Sequence, residues 1–331
     1  MSSILTTGEL LIDFTPVQIE GYHNLICPNP GGAPANVAVQ VARLGESAGF
    51  IGKVGKDDFG TQLIECLQEN NVSTKNLIVD DDFRTTLAFV QLDKHGDRSF
   101  TFYRNPGADT QLHLSEIDFS EVEECSILHF GSLSLTNDPS KTTTLEMVKK
   151  AREMGKLISY DPNWRPALWK SEEAGIAAMK LGFPLCHILK ISVEELALLT
   201  GTDSIKEGTA ALHALGIRLI VVTLGPDGCV CSFDGNIVHQ PTFDTKVVDT
   251  TGSGDSFWGA FLTMLVKHGY KTVDSLDKLT IEELIEFCRF ANGAGSITAA
   301  RPGGIPALCD EASILACMKE YGLLERGFEL K

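Results

Sequence analysis

The chain has 331 residues, 43% of them apolar and 22% charged. That composition suits a globular fold with a large core and excludes a disordered chain. The formal net charge of −16 argues against broad nucleic-acid or anionic-membrane binding, which recruits Lys and Arg surfaces, but leaves room for a few local donors around a phosphorylated ligand.

The first residues, Met1 to Gly8, lack a basic stretch followed by an apolar run, and nothing approaches the length of about 18 apolar residues needed to span a bilayer. The expectation is a soluble, cytoplasmic protein. Nine cysteines without a C-x-x-C pair and eight histidines without H-E-x-x-H spacing offer no disulfide framework and no metal motif; scattered thiols fit a reducing compartment.

In chain order, Glu9 to Ile26 is extended and Pro-containing, with no helical period. Apolar β-rich runs follow at 48–54, 126–130, 156–160, 187–191 and 218–223, and Gly228 to Phe233 alternates as a strand. Helical patterns lie between them at roughly 35–44, 57–70, 140–154, 172–181 and 206–215. Strands apolar on nearly every residue are buried on both faces, so the spacing predicts a three-layer α/β/α sandwich with a mostly parallel central sheet. Thr85–Asp93 and Arg98–Arg104, separated by Lys94–Asp97, predict a hairpin. With the extended early segment it would make a small antiparallel β lid, whose Phe89, Phe100 and Phe102 fall on one face, either packing on the body or meeting a second subunit. His129 and His187 are expected as satisfied core residues, and Asp80–Asp82 as a solvated turn.

The densest chemistry lies in Val247–Phe261, Val-Val-Asp-Thr-Thr-Gly-Ser-Gly-Asp-Ser-Phe-Trp-Gly-Ala-Phe. A strand is predicted to end near Asp249, with a glycine turn and a helix after it. Backbone N–H groups at such a helix start form an anion site, and glycines let the anion approach. Asp255 in the first turn could accept the proton of an attacking hydroxyl, or simply cap the helix. The string is no dinucleotide fingerprint, since Phe257 stands where G-x-G-x-x-G needs Gly, and Gly55-Lys56-Asp57 is no Walker A loop. A second motif, Pro30-Gly-Gly-Ala-Pro-Ala-Asn-Val-Ala38, sets a glycine pair before a helix with Asn36 in its early turns, able to donate to and accept from a polyol. Its presence favours a site over a mere cap.

Together, Gly31–Gly45 and Asp249–Gly259 resemble the two signatures of the ribokinase-like (PfkB-type) carbohydrate kinases, over about Gly8 to Pro306. Gly8–Asp13, Tyr103–Asp109 and Ser159–Arg165 resemble strings of fructokinases; kinases for 2-keto-3-deoxygluconate and aminoimidazole riboside carry similar ones. The resemblance implies one ribokinase-like domain over 1–331, with lid segments at about 13–30 and 84–108, transferring phosphate from ATP with Mg²⁺ to a hydroxymethyl group of a free sugar, fructose first. It implies Asp255 as base and Gly252, Ser253 and Gly254 as the anion hole. Asp13, Gly31, Gly32, Asn36 and Arg165 would bind the sugar, with Tyr103 or Arg104 reaching in from the lid. Thr223, Gly225, Gly228 and Asn292 would border the nucleotide, and Glu195 would hold Mg²⁺ through water. Asp249 and Thr251, near the 301–304 turn, could take K⁺. Ser192 departs from the family's N-x-x-E. Apart from the resemblance, the apolar strands of the lid hint at a homodimer through it, and no nucleic-acid or membrane partner is expected. A silent relative would be expected to lose the glycines or Asp255, which are intact.

Overall fold

The computed structural model describes residues 2–17, 25–92 and 98–324. Its strands are β1 (Ile4–Thr7), β2 (Leu11–Val17), β3 (Leu25–Gly31), β4 (Ala48–Gly55), β5 (Val72–Asp80), β6 (Leu87–Leu92), β7 (Arg98–Tyr103), β8 (Ile127–Gly131), β9 (Leu157–Asp161), β10 (Ile188–Ser192), β11 (Leu219–Thr223), β12 (Cys229–Phe233) and β13 (Asn236–Gln240). The helices are α1 (Ala33–Arg43), α2 (Asp58–Glu69), α3 (Phe119–Glu124), α4 (Ser140–Glu153), α5 (Glu172–Lys180), α6 (Val193–Thr200), α7 (Ile205–His213), α8 (Ser253–Lys267), α9 (Ile281–Ala299) and α10 (Glu311–Glu320).

Nine strands form the main sheet in the order β13-β12-β11-β10-β9-β8-β1-β4-β5. From β11 to β5 every pairing is parallel; β12 and β13 add an antiparallel edge. Neighbouring strand residues serve opposite cores. Ile4 and Ile188 join the layer of α1, α2, α8, α9 and α10, while Leu5 and Leu189 join that of α3 to α7. This two-sided burial is why the strands read as unbroken apolar runs. Parallel strands of this kind deliver their carboxyl ends to one edge, where α/β sheets bind ligands.

The segments expected as a lid form a separate, smaller sheet, ordered β3-β2-β6-β7 and called the lid below. Its two hairpins are antiparallel, but β2 and β6 join them in parallel, which corrects the expectation of a wholly antiparallel lid. The cause is topological: β2 and β6 both leave the same edge of the body. The Lys94–Asp97 turn lies outside the described residues. Register also corrects the aromatic face. Phe89 pairs with Thr101 and Phe102 with Ala88, so Phe89 and Phe102 point to opposite sides. Phe89 stacks on Phe14 at 4.6 Å and meets Tyr103 edge-on at 5.3 Å on the outer face.

The core assignments of the histidines hold. Buried His129 shares a 2.9 Å hydrogen bond with Ser159, and His187 Nδ1 accepts from Ile158 N–H at 3.0 Å. Of the acidic run, Asp81 and Asp82 are exposed, but Asp80 pairs with buried Lys53 at 2.9 Å. The predicted strand before Asp249 is absent. Residues 244–250 are irregular, Val247 and Val248 are exposed, and the N–H groups of Val248 and Asp249 both donate to Ala299 C=O rather than to a strand. Among the described residues, no helix is long and apolar enough to cross a membrane, and all nine cysteines are unbonded.

Candidate active site

The two motifs meet through their helices. Asn36 Nδ2 donates to Asp255 Oδ2 at 2.8 Å across 219 residues of sequence. One turn further along α1 and one residue further along α8, Ser256 Oγ donates to Gln40 Oε1 at 2.9 Å. Gly259 allows this close crossing, since a Cβ there would press on Gln40.

Ahead of α8, Ser253 N–H closes a turn onto Thr250 C=O at 3.2 Å, with Gly252 at φ 74° and ψ −2° in its third position. A type II turn needs positive φ there, hence glycine. Closing that turn takes the Ser253 amide out of the anion hole expected for it. The donors left pointing forward come from Gly252, Gly254 and Asp255, as at any helix start. The Ser253 hydroxyl is tethered to Gly295 C=O at 2.9 Å.

Asp255 is half-buried by accessible surface but crowded by protein atoms. Burial pushes its pKa up, against the lowering effects of Lys190, the Asn36 hydrogen bond and Arg165. A helix start alone would have made it a weaker base; desolvation wins here.

A cavity of about 670 Å³ lies between the lid and the strand ends. Asp13, Gly32, Asn36, Arg165, Glu195, Gly252, Gly254 and Asp255 line it, as do Phe102, Trp164, Lys190, Thr251 and Glu9. Gly31 does not line it, yet a Cβ there would strike the Asp13 carboxylate; at Gly32, φ 114°, one would strike Glu9 C=O. The pair lets β3 turn into α1 while keeping Asp13 at the cavity wall. Asn36 Oδ1 is buried without a hydrogen-bond partner, an acceptor aimed at a donor the protein does not supply.

Two sequence assignments change. Tyr103 stands on the lid's outer face, 65% exposed. Arg104 is buried, and its guanidinium is committed to Asp109 at 2.7 Å, Thr136 Oγ1 at 2.7 Å and Leu133 C=O at 2.9 Å. Neither lines the cavity; on β7 it is Phe102 that does. The resemblance implied Tyr103 or Arg104 at the sugar, but the pairing register turns Tyr103 outward and side-chain partners occupy Arg104.

Glu195 accepts from the backbone N–H of Trp164 at 2.6 Å and of Ser192 at 2.8 Å, and burial pushes its pKa up. Ser192, where the family often has Asn, caps α6 by accepting from Glu195 N–H at 3.2 Å. Such a cap is worth about 1 kcal/mol. Asp249 accepts from Thr251 N–H at 2.7 Å and Gly303 N–H at 3.0 Å, tying the motif to the 301–304 turn.

A second cavity of about 540 Å³ adjoins the first, with Thr250 and Gly254 lining both. Thr223, Gly225, Gly228 and Asn292 all border it. Asn292 spends its Nδ2 on Gln240 C=O and Pro241 C=O, at 3.0 and 3.2 Å, so it shapes the wall. Sequence reading missed Glu9, Lys190 and Leu324. Glu9 and Lys190 sit in strings already singled out, and a charged residue inside an apolar strand was the available signal for Lys190. Leu324 had none. It reaches the second cavity because Leu323 bridges Phe243, with Leu324 N–H donating to Thr242 C=O at 2.9 Å.

Residues 1–310 match the pfkB family carbohydrate kinases. The chain belongs to that family. Among its relatives, fructokinase-1 of Zea mays is 39% identical over 325 residues, 96% of this chain and 98% of the relative. The crystal structure of fructokinase from Xylella fastidiosa with bound ATP superposes with a TM-score of 0.88 at 30% identity, covering 97% of this chain and 99% of that one. Fructokinase from Vibrio cholerae O395, in its fructose, ADP and calcium ion bound form, gives 0.85 at 35%, covering 96% and 99%. In this pfkB kinase the second signature supplies Thr250 and Gly254 at the junction of the two cavities, and the first supplies Gly32, Ala33 and Asn36 to the wall of one of them.

Proposed function

We propose that this protein is a fructokinase, moving the γ-phosphoryl group of ATP to a hydroxymethyl oxygen of free fructose. The observation that carries the reading is Asp255, held by Asn36 beside the Gly252 and Gly254 amides where the two cavities meet. Fructose would occupy the lid-side cavity, with Asp13, Asn36 and Arg165 on its hydroxyls and the orphan Asn36 Oδ1 accepting one of them. ATP would occupy the second, its phosphates turned toward Gly254.

Transfer needs alignment, charge neutralisation and a proton acceptor. The sugar oxygen bonds to the γ-phosphorus as its bond to the bridging oxygen breaks; that electron pair leaves with ADP, and the hydroxyl proton passes to Asp255. The Gly252, Gly254 and Asp255 amides face the charge on the transferring group. Phe102 and the lid would exclude water that otherwise hydrolyses ATP.

The chemistry of the donor set fits Mg²⁺. This ion keeps several waters and needs only one or two carboxylates beside substrate phosphates, and Glu195 presents a carboxylate to the cavity. When bound, Mg²⁺ would neutralise phosphate charge. The Asp249 and Thr251 turn is our assignment for a K⁺ ion. The outer lid face, with Ile26 and Tyr103 exposed, supports a homodimer, which light scattering tests. The reducing cytoplasm suits nine unbonded thiols.

A coupled ADP-release assay with fructose, ribose, 2-keto-3-deoxygluconate and aminoimidazole riboside tests the substrate. Fructose should give the highest kcat/KM; preference for an acidic sugar or a riboside would overturn the assignment.

A further inference from the structure

The mechanism above leaves one buried cation without a task. Lys190 lies on β10, its side chain 10% exposed, and its Nζ is 2.5 Å from Asp161 Oδ2. That is its one hydrogen bond among the described residues, and an ammonium carries three donors. The group lines the lid-side cavity and abuts the glycine turn: an ideal Cβ on Gly254 would stand 3.3 Å from Nζ. Burial alone would push its pKa down, but the carboxylates of Asp161, Glu195 and Asp255 outweigh that and hold it above the ordinary lysine value. One compact positive charge therefore stands among three carboxylates, beside the amides that face the phosphoryl group. A structural ion pair needs one carboxylate and no cavity.

We propose that Lys190 is a catalytic residue, giving its remaining N–H donors to non-bridging oxygens of the γ-phosphoryl group during transfer. The inference rests on the kinase reading of Asp255. An ammonium suits this task as a point charge that follows a moving anion, and hydrogen bonds to charged partners are the strong ones.

The test compares ADP with the non-hydrolysable β,γ-imido analogue of ATP, titrated with Mg²⁺ into wild type, Lys190→Met, Lys190→Arg and Asp161→Asn. Lys190→Met should weaken analogue binding about 10- to 100-fold while ADP binding stays within about twofold. Its kcat should fall by about 10²-fold or more with the fructose KM little changed. Lys190→Arg should recover part of the analogue preference. Asp161→Asn, which removes the ion pair but keeps the cation, should retain it. Equal loss of both nucleotides in Lys190→Met overturns the proposal, as does Asp161→Asn losing the analogue preference. Should Lys190→Met fail to fold, the Asp161→Asn result decides alone, by the same criterion. The kinase reading fails separately, if wild type binds both nucleotides but releases no ADP in the presence of any sugar.

Discussion

The cavity under the lid is lined by Glu9, Asp13, Arg165, Lys190, Glu194, Glu195 and Asp255, whereas its neighbour beyond Gly254 carries, among the described residues, one ionisable side chain, Asp244. The second is walled instead by glycines, hydroxyls, Phe243, Phe257, Val247 and Leu324. The contrast follows from what each must do. A polyol is recognised by directional donors and acceptors, and proton transfer needs a placed charge. A planar base is held by apolar surface and backbone, and a site of that kind is largely preformed by packing.

The sharpest way to break this division is at the junction. Asp255→Asn removes the proton acceptor but keeps the hydrogen-bonding shape, so turnover should fall by about 10²- to 10⁴-fold while nucleotide binding persists. Calorimetric titration with ADP alongside steady-state kinetics checks both halves, and near-normal turnover would end the assignment of the base.

Smaller effects should separate the two cavities. Asp13→Ala should raise the fructose KM by about tenfold or more, a loss of uniform binding, and leave the ATP KM alone. Leu324→Asp should do the reverse, raising the ATP KM severalfold, by about 1 kcal/mol of lost apolar contact. Its backbone bond to Thr242 C=O survives the change. If either variant moves both constants equally, the cavities are not independent.

A separate effect, on stability rather than on turnover, concerns the charge stored in the lid-side cavity. Burial pushes Glu9 up to about 7, although its carboxylate accepts from Ala33 N–H at 2.9 Å. Between the ordinary carboxyl range and about pH 7 the native state holds a proton that the unfolded chain has released, so stability falls as pH rises through that window. Above it the buried charge costs up to about 3 kcal/mol. Glu9→Gln keeps an acceptor for the Ala33 amide without the charge. It should melt higher than wild type at pH 8, with most of the gap gone at pH 5. A gap equal at both values would show that Glu9 does not titrate there.

Sequence legibility divides along the same line. The lid-side site was readable where its residues cluster beside glycine turns, at Gly31–Asn36 and Gly252–Asp255, because turn chemistry and helix starts are local events. Arg104 misled because its guanidinium is shared out between nearby Asp109 and two groups far along the chain, Thr136 Oγ1 and Leu133 C=O, 32 and 29 residues on. In the ring of amides Asp255 takes the place of Ser253, whose N–H closes the turn onto Thr250 C=O.

By itself, then, the sequence determined the alternation of helices and doubly buried strands, the two glycine turns, and the acid waiting at the second. Periodicity of 3.6 or 2 and the backbone freedom of glycine are properties of short segments. Only the tertiary structure decided that Asn36 touches Asp255, that Phe102 rather than Phe89 or Tyr103 faces inward, that Lys190 abuts Gly254, and that Leu324 walls the second cavity. Each of these depends on strand register or helix crossing between residues far apart in the chain, which local pattern does not encode.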